Sequence, residues 1–479
     1  MGADRIQSPL MVDQPFDPAD LARWSGGVWE HPPRVLRGVM NDSRTIRPGN
    51  LYVALPGATV DGHAFVVQAC RVGAAALVNT DWQAPADAGP LPLLRVPDTL
   101  QALAALGQGY RRTVNPVVIG VTGSVGKSTI KTWTAALLAA HAPTASTCGN
   151  FNTDIGLPLS LLQMERGTRL GVFELGMSHP GEIAPLAAVL EPDAAILGTI
   201  APVHLEFFAS LEAIVDEKAA LLQAVPPAGF AVLDAGSPWH ARLRAATRAR
   251  VITVALDGAA ADYHATAIDP MTGRFTVSGP AVDRPRVLSL GLPGRHHVLN
   301  ALLSLAAARA CDVPWEAIEA GLPRLPRMGM RWETCEWRGV TVINDAYNAS
   351  PVSMDAAIRT FAAAACGRRI LVLGEMRELG RDAQAYHAAC GVTIGASGCE
   401  ILVAVGSAGG WMADAAAAHG FAGQVLRVSD AAAAGGALAR LARRGDWVLL
   451  KASRGVALEQ AMKAWREATP PPAGGEGGT

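Results

Sequence analysis

Apolar positions along this chain fall into short runs that alternate with stretches of helical period. Residues 116–122, 170–175, 194–200 and 230–233 are runs of strand length, and helical patterns follow the first three at 128–140, 182–190 and 211–225. Such alternation predicts βαβ units and a mainly parallel sheet. Residues 262–287, with Thr272-Gly273 between two β-rich runs, predict an antiparallel addition to that sheet. After Pro323 and Pro326 the alternation restarts at 340–344, 370–373, 401–405, 425–428 and 447–450, each run followed by a helical pattern, which predicts a second, doubly wound sheet. Upstream, residues 21–112 are rich in Gly and Val, with short strands broken by turns over 38–55 and helical period over 99–106. The predicted fold class is therefore α/β in three domains: a small α/β domain over 1–113, a central domain with a mainly parallel sheet over 114–325, and a Rossmann-like domain over 326–469. Residues 470–479, rich in Pro and Gly, read as a disordered tail.

A length of 479 residues suits about three domains. Forty-one basic against 42 acidic residues give a formal charge of -1, so no global field favours nucleic acid or an anionic membrane, and any anion must be bound locally. No run of ~18 apolar residues escapes interruption by a charge, Gly or Pro, so no transmembrane helix is expected. The first residues lack the apolar stretch of a secretion signal, which points to the cytoplasm. Seven cysteines without paired metal spacing suit a reducing compartment and buried, inert thiols.

The most informative chemistry lies at residues 117–129, where an apolar run ends in Gly123-Ser-Val-Gly-Lys-Ser128 and a helix opens. Gly123 and Gly126 permit backbone angles that turn N–H groups inward around an anion, Lys127 adds a point charge, and Ser128 offers a hydroxyl to Mg²⁺. The loop is shorter than a full Walker A pattern, because Gly120 stands one position too early. An ordinary strand-to-helix turn would explain the glycines but not Lys127-Ser128 directly behind them.

Ligands of open parallel sheets gather at the carboxyl ends of strands. Lys127, Glu174 and His204 all follow apolar runs in this way, and Ser128 with a carboxylate such as Glu174 suits one Mg²⁺. Lys218 interrupts the apolar stripe Leu211, Ile214, Val215, Leu222, Val225 at a core-facing slot. Two readings are open: the ammonium snorkels past the stripe to water, the commoner outcome for this pattern, or it is buried, with its pKa lowered, as a nucleophilic amine able to capture CO₂ as a carbamate.

Ordered motifs then carry a resemblance over residues 35–458. They are Asp42-Ser-Arg44 with Gly57 and Asp61-Gly-His63, Thr122-Gly-Ser-Val-Gly-Lys-Ser-Thr129, Gly149-Asn-Phe-Asn-Thr-Asp-Ile-Gly-Leu-Pro158, Phe173-Glu-Leu-Gly-Met177 with Pro180-Gly-Glu-Ile183, His204-Leu-Glu206 and Lys218. Further on come Gly294-Arg-His-His-Val-Leu-Asn-Ala301, Asn344-Asp-Ala-Tyr-Asn-Ala-Ser-Pro351, Gly374-Glu-Met-Arg-Glu-Leu-Gly380 and Leu449-Leu-Lys-Ala-Ser-Arg454. With these the chain resembles the Mur ligases, most closely those that add D-alanyl-D-alanine to UDP-N-acetylmuramoyl-tripeptide in peptidoglycan synthesis.

The resemblance implies an enzyme that uses ATP to phosphorylate a substrate carboxylate, after which an amine attacks the acyl phosphate to give an amide, ADP and phosphate. It implies ATP held by Thr122, Gly123, Ser124, Val125, Gly126, Lys127, Ser128 and Thr129, with Asn300 at the adenine and Arg331 and Asp345 reaching in from the third domain. It also implies two Mg²⁺ sites drawing on Ser128, Glu174, His204 and a carbamylated Lys218, so that Lys127, Glu174, His204 and Lys218 form the catalytic group. The UDP-linked substrate would meet Asp42, Ser43 and Arg44 in the first domain and Asn150, Asn152 and Thr153 in the second. Tyr347, Asn348, Lys451 and Arg454 would serve the substrates from the third. The implied partners are UDP-N-acetylmuramoyl-tripeptide and D-alanyl-D-alanine, met by a cytoplasmic monomer with no nucleic-acid partner and no membrane insertion.

The sequence departs from the family pattern at three places. The usual Ala-Lys-Gly-Glu around the lysine stands as Asp216-Glu-Lys-Ala-Ala220, the common Gly-Phe-Gly-Ser is Phe207-Phe-Ala-Ser210, and Thr153 occupies a position where asparagine is common. The ligase that adds the third amino acid to UDP-muramoyl-dipeptide shares the Asp-Ser-Arg start, but its Asp-Asn-Pro-Arg stretch is missing here. Folylpolyglutamate synthases share the catalytic core without such a first domain. From a different class, a non-catalytic nucleotide switch would also use the phosphate loop.

Overall fold

In the computed structural model, which describes residues 15–57, 60–257, 259–364 and 367–468, three large sheets follow one another along the chain, besides a two-stranded antiparallel pair of Pro15–Phe16 with Leu36–Arg37. The first has the strand order 28–30, 93–96, 75–79, 51–53, 39–40, parallel except for the edge strand Val28–Glu30. The nine-stranded central sheet runs 286–289, 274–278, 263–269, 250–256, 230–234, 194–197, 117–122, 170–174, 144–146. Its six neighbouring pairs from 144–146 to 263–269 are parallel, and 274–278 and 286–289 add antiparallel strands, as the pattern over 262–287 predicts. The third sheet runs 333–337, 340–344, 447–451, 369–373, 401–405, 424–428 and is parallel except for Glu333–Trp337. The expected tail at 470–479 and the N-terminal stretch read for a secretion signal lie outside the described residues.

Several elements escape the apolar pattern. Thr144–Ser146 is three residues long, and Glu333–Trp337 alternates polar and half-buried positions; both are edge strands created by pairing with a neighbour. Arg250–Leu256 and the helix Gly156–Leu161 were likewise not marked out by period. Conversely, the strand expected over 194–200 ends at Leu197. The Thr199 carbonyl leaves the sheet to accept hydrogen bonds from the amides of Ser124 (2.8 Å) and Val125 (3.1 Å), bracing the Gly-rich loop instead of extending a strand.

The first sheet is tied to the second by the helix Thr99–Val114. Asp98 caps it through the amides of Leu100 and Gln101, and Leu103, Leu106 and Tyr110 are buried along its inner face. At its far end the Tyr110 hydroxyl donates to Met164 O at 2.7 Å, and the buried Arg111 pairs with Asp193 at 2.9 Å while bonding the carbonyls of Leu190 and Glu191. A guanidinium so fully partnered fixes orientation better than a hydrophobic contact would. The start of this helix consequently faces the carboxyl end of the central sheet, where Leu100, Gln101 and Ala104 reach the cavity described next.

Candidate active site

A cavity of about 720 Å³ opens where the carboxyl ends of the central and third sheets face each other. Its floor is the loop between the strand Val117–Thr122 and the helix Lys127–Ala139. Gly123 has φ 153°, and a Cβ there would lie 3.0 Å from Gly198 Cα. Gly126 has φ 87°, and its Cβ would meet Asn300 Oδ1 at 2.7 Å, so side chains are excluded on both counts. This contact also seats Asn300, and with it the buried helix Arg295–Ala310, directly against the loop. The free amides at the helix start and the Lys127 charge make the loop an anion cradle.

The Lys127 ammonium bonds its own loop, 3.0 Å from Gly123 O and 3.4 Å from Ser124 O. Desolvation lowers its pKa from the usual lysine value; the nearby Glu174 carboxylate opposes that effect and Arg331 adds to it. Glu174 is 2 % exposed at the end of the strand Leu170–Glu174. Its Oε1 accepts from Asn152 Nδ2 at 2.8 Å, while Oε2 is buried without a hydrogen-bond partner among the described residues. An orphaned carboxylate oxygen in the cavity that the Ser128 hydroxyl also lines suits a hard divalent cation. Lys131, which follows Lys127 by one helical turn, is also buried; it holds Thr147 O at 2.8 Å, and the Thr147 hydroxyl accepts the Glu174 amide at 2.9 Å. Sequence reasoning passed over Lys131, although its i+4 spacing from Lys127 placed it on the same helical face.

Lys218 does not snorkel. Ser210 caps the helix Leu211–Gln223, and Ile214, Val215, Leu221 and Leu222 seal its inner face with Lys218 among them at 1 % exposure. Desolvation pushes this amine well below the ordinary lysine value, and the Lys127 charge pushes the same way. The residues that depart from the family pattern have their own work. Glu217 accepts from the amides of Gly181 (2.7 Å) and Ile183 (2.8 Å), satisfying the start of the helix Ile183–Leu190, and Asp216 pairs with Arg242.

From the third sheet, Lys451 ends its strand 2.6 Å from Asp345 Oδ2, while Asp345 Oδ1 accepts the Trp332 amide at 3.1 Å. Arg331 stacks over Tyr347 at 4.1 Å and donates to Ser128 Oγ at 3.2 Å, joining the third domain to the cradle. Two imidazoles that sequence reasoning did not single out, His296 and His297 of the central domain's helix Arg295–Ala310, also line the cavity. Desolvation drives His296 well below the usual histidine value and His297 down to about 4, so both are neutral donors or acceptors near pH 7.

The cavity thus gathers Ser124, Val125, Gly126, Lys127, Ser128, Thr129, Asn152, Thr153, Glu174, His204, Asn300, Arg331, Asp345, Tyr347, Asn348 and Lys451. Thr122 and Gly123 lie beneath the loop, and Lys218 is buried behind it. Asp42, Ser43, Arg44, Asn150 and Arg454 are not on its wall. Arg44 is exposed and folded back on Asp42 at 2.7 Å, holding that carboxyl below its ordinary range. Arg454 pairs with Glu459 at 2.6 Å because the turn after Lys451 carries it away from the cavity. Among the described residues the cysteines are free, and burial raises the Cys70 and Cys311 thiols to about 11 and Cys390 to about 12, so they are inert. No helix of the described residues is long and apolar enough to cross a membrane.

Comparison with known proteins agrees along the chain. Residues 35–111 match the Mur ligase family catalytic-domain model, 121–308 the Mur ligase middle domain, and 330–454 the Mur ligase glutamate ligase domain. The UDP-N-acetylmuramoyl-tripeptide--D-alanyl-D-alanine ligase of Bacillus subtilis (strain 168) is 34 % identical over 90 % of this chain and 93 % of its own. The protein of the same name from Escherichia coli (strain K12) is 33 % identical over 90 % and 94 %. A crystal structure of MurF from Acinetobacter baumannii superposes with a TM-score of 0.86 at 29 % identity, covering 95 % of this chain and 100 % of that one. MurF ligase from Thermotoga maritima in complex with ADP superposes at 0.79 with 26 % identity, over 90 % and 97 %.

Proposed function

The chain belongs to the Mur ligase family, and from that premise we propose that it joins D-alanyl-D-alanine to UDP-N-acetylmuramoyl-tripeptide with ATP, completing the muramoyl pentapeptide of peptidoglycan synthesis. One observation carries the reading: a single cavity is walled by the anion cradle on one side and by Arg331, Asp345 and Lys451 on the other. A phosphoryl donor, an acceptor carboxylate and an incoming amine therefore have charged groups facing them from both sheets.

In this reading ATP lies with its phosphates on the Gly126–Thr129 amides and its base toward Asn300. Lys127 leaves its own loop carbonyls to take the terminal phosphate, stabilising charge as it moves to the muramoyl carboxylate. Mg²⁺ would be held by Ser128 and Glu174 with His204 nearby, and when bound it neutralises phosphate charge. Lys218, whose pKa burial lowers, is the amine able to combine with CO₂, releasing a proton and leaving a carbamate as a further anionic group for a second ion. The muramoyl peptide passes Asn152 and Thr153, with Asp42, Ser43 and Arg44 serving its UDP end, and Tyr347, Asn348, Lys451 and Arg454 serve the dipeptide side. Asp345 holds Lys451 beside the attack position. The boundaries 1–113, 114–325 and 326–469 define the working units, and the enzyme acts as a cytoplasmic monomer.

The deciding experiment offers the protein UDP-muramoyl-tripeptide with D-alanyl-D-alanine, or UDP-muramoyl-dipeptide with free diamino acids, and follows UDP-linked products by mass. Pentapeptide with matching phosphate release is expected from the first pair. Product from the second alone would reassign the substrate, and phosphate release independent of any amine would indicate a nucleotide switch.

A further inference from the structure

His204 is held from the opposite domain. Its Nδ1 is hydrogen-bonded to Glu378 Oε2, and the Glu206 amide donates to Glu378 O at 3.2 Å. Glu378 belongs to the loop after the third-sheet strand Arg369–Leu373, and that loop is fixed to its own domain. The buried Met376 donates its amide to His387 Nε2 at 2.9 Å, the Arg377 amide donates to Ser453 Oγ at 2.9 Å, and Leu379 is buried in the same core. Contact at the tip is close: Gly380 has φ 61°, and a Cβ there would stand 3.1 Å from Leu205 O. Both partners take the left-handed backbone that L side chains rarely adopt, with φ 55° at His204 and 62° at Glu378. Such conformations persist where surrounding contacts over-determine them, and they cluster at working sites.

The same histidine lines the cavity that holds Lys127 and Glu174. A carboxylate on Nδ1 favours the tautomer with the proton there and leaves Nε2 its lone pair, the arrangement in which a partner group orients a metal-binding imidazole. We propose that Glu378 is the positioning residue of His204, so that the imidazole is aimed into the cavity only when the third domain is seated. Seating of the domain that carries Asp345 and Lys451 thereby readies the metal side of the site. The inference rests on the reading of His204 as a group of that metal site.

The test measures Mn²⁺ binding by electron paramagnetic resonance in the presence of ADP, without turnover, for wild type, Glu378→Ala, Glu378→Gln, His204→Ala and the double variant Glu378→Ala/His204→Ala. Because Glu378 is 43 % exposed, folding is expected to survive, and thermal melts check this. Glu378→Ala should weaken Mn²⁺ binding by about 10-fold or more, within the range of partner groups to metal-bound histidines. Glu378→Gln should weaken it less, since the amide oxygen can still accept from Nδ1. The double variant should bind no more weakly than His204→Ala alone. In turnover, kcat should fall with the ATP KM within about 2-fold, since the cradle is untouched. If His204→Ala weakens Mn²⁺ binding and Glu378→Ala does not, or the two losses add, Glu378 is not its positioning residue and the proposal fails while the metal reading stands. Wild-type Mn²⁺ binding by His204→Ala would overturn that reading itself, and the proposal with it.

Discussion

Asn152 Nδ2 lies 2.8 Å from Glu174 Oε1, while Glu174 Oε2 is buried with no hydrogen-bond partner among the described residues. The amide thereby fixes one oxygen and aims the other. Replacing Asn152 by Ala should let the carboxylate rotate, lowering Mn²⁺ affinity and kcat by about 10–100-fold while the fold melts near the wild-type temperature. Glu174→Gln should lose more than Asn152→Ala in the same metal titration. Unchanged titrations for both variants would exclude Glu174 from the metal site.

Lys127 brings a charge into the cradle, where its ammonium bonds the loop carbonyls of Gly123 and Ser124. Lys127→Ala should cost on the order of 10²–10³ in kcat, the usual size of a lost electrostatic donor to a transferring phosphoryl group. Steady-state phosphate release measures this, with circular dichroism as the control for folding. Near-normal turnover would remove the ATP assignment.

Lys218 makes two opposite demands on the protein. Lys218→Ala should be nearly inactive and partly rescued by acetate, and ¹³CO₂ should give a carbamate resonance in wild type that the variant lacks. Stability should move the other way. Because the folded pKa lies well below the ordinary 10.5, the unfolded state binds more protons between the two values, and stability rises with pH across that window. The deficit is fully present below the folded pKa. Lys218→Met should therefore melt higher than wild type in CO₂-free buffer, with the gain shrinking as pH climbs toward 10.5. A Tm difference independent of pH would show that the amine is not depressed.

Arg331 is clamped between Met330 (φ 54°) and Trp332 (φ 53°), stacked on Tyr347 and bonded to Ser128. It is a short bridge between the third domain and the cradle. Arg331→Ala should lower kcat by at least about 10²-fold, and Arg331→Lys should not restore it, since an ammonium cannot stack and donate in one plane. Small-angle scattering should show that ATP with the UDP-substrate compacts wild type more than Arg331→Ala. Equal profiles would mean that this bridge does not set the domain angle.

The sequence by itself determined the layered α/β class, five of the six strands of the third sheet to within a residue at each end, and the phosphate loop, because these follow from local period and from glycines whose backbone angles the loop requires. It also placed Lys218 on a core-facing slot. Period cannot say whether a long side chain on such a slot escapes to water; that was decided by the seal of Ile214, Val215 and Leu222 around it. Edge strands such as Glu333–Trp337 were decided by a neighbour's free hydrogen bonds and not by their own residues. The same holds at the site. Lys131 and His296 acquired their places from burial beside Glu174 and Lys451, and Glu378 met His204 across 174 residues of chain. Arg44 and Arg454 share the motifs' chemistry, yet they turn to the local carboxylates Asp42 and Glu459. Residue type and spacing specify what a group can do; which groups share one low-dielectric cavity depends on how three sheets are set against each other, and no local pattern encodes that.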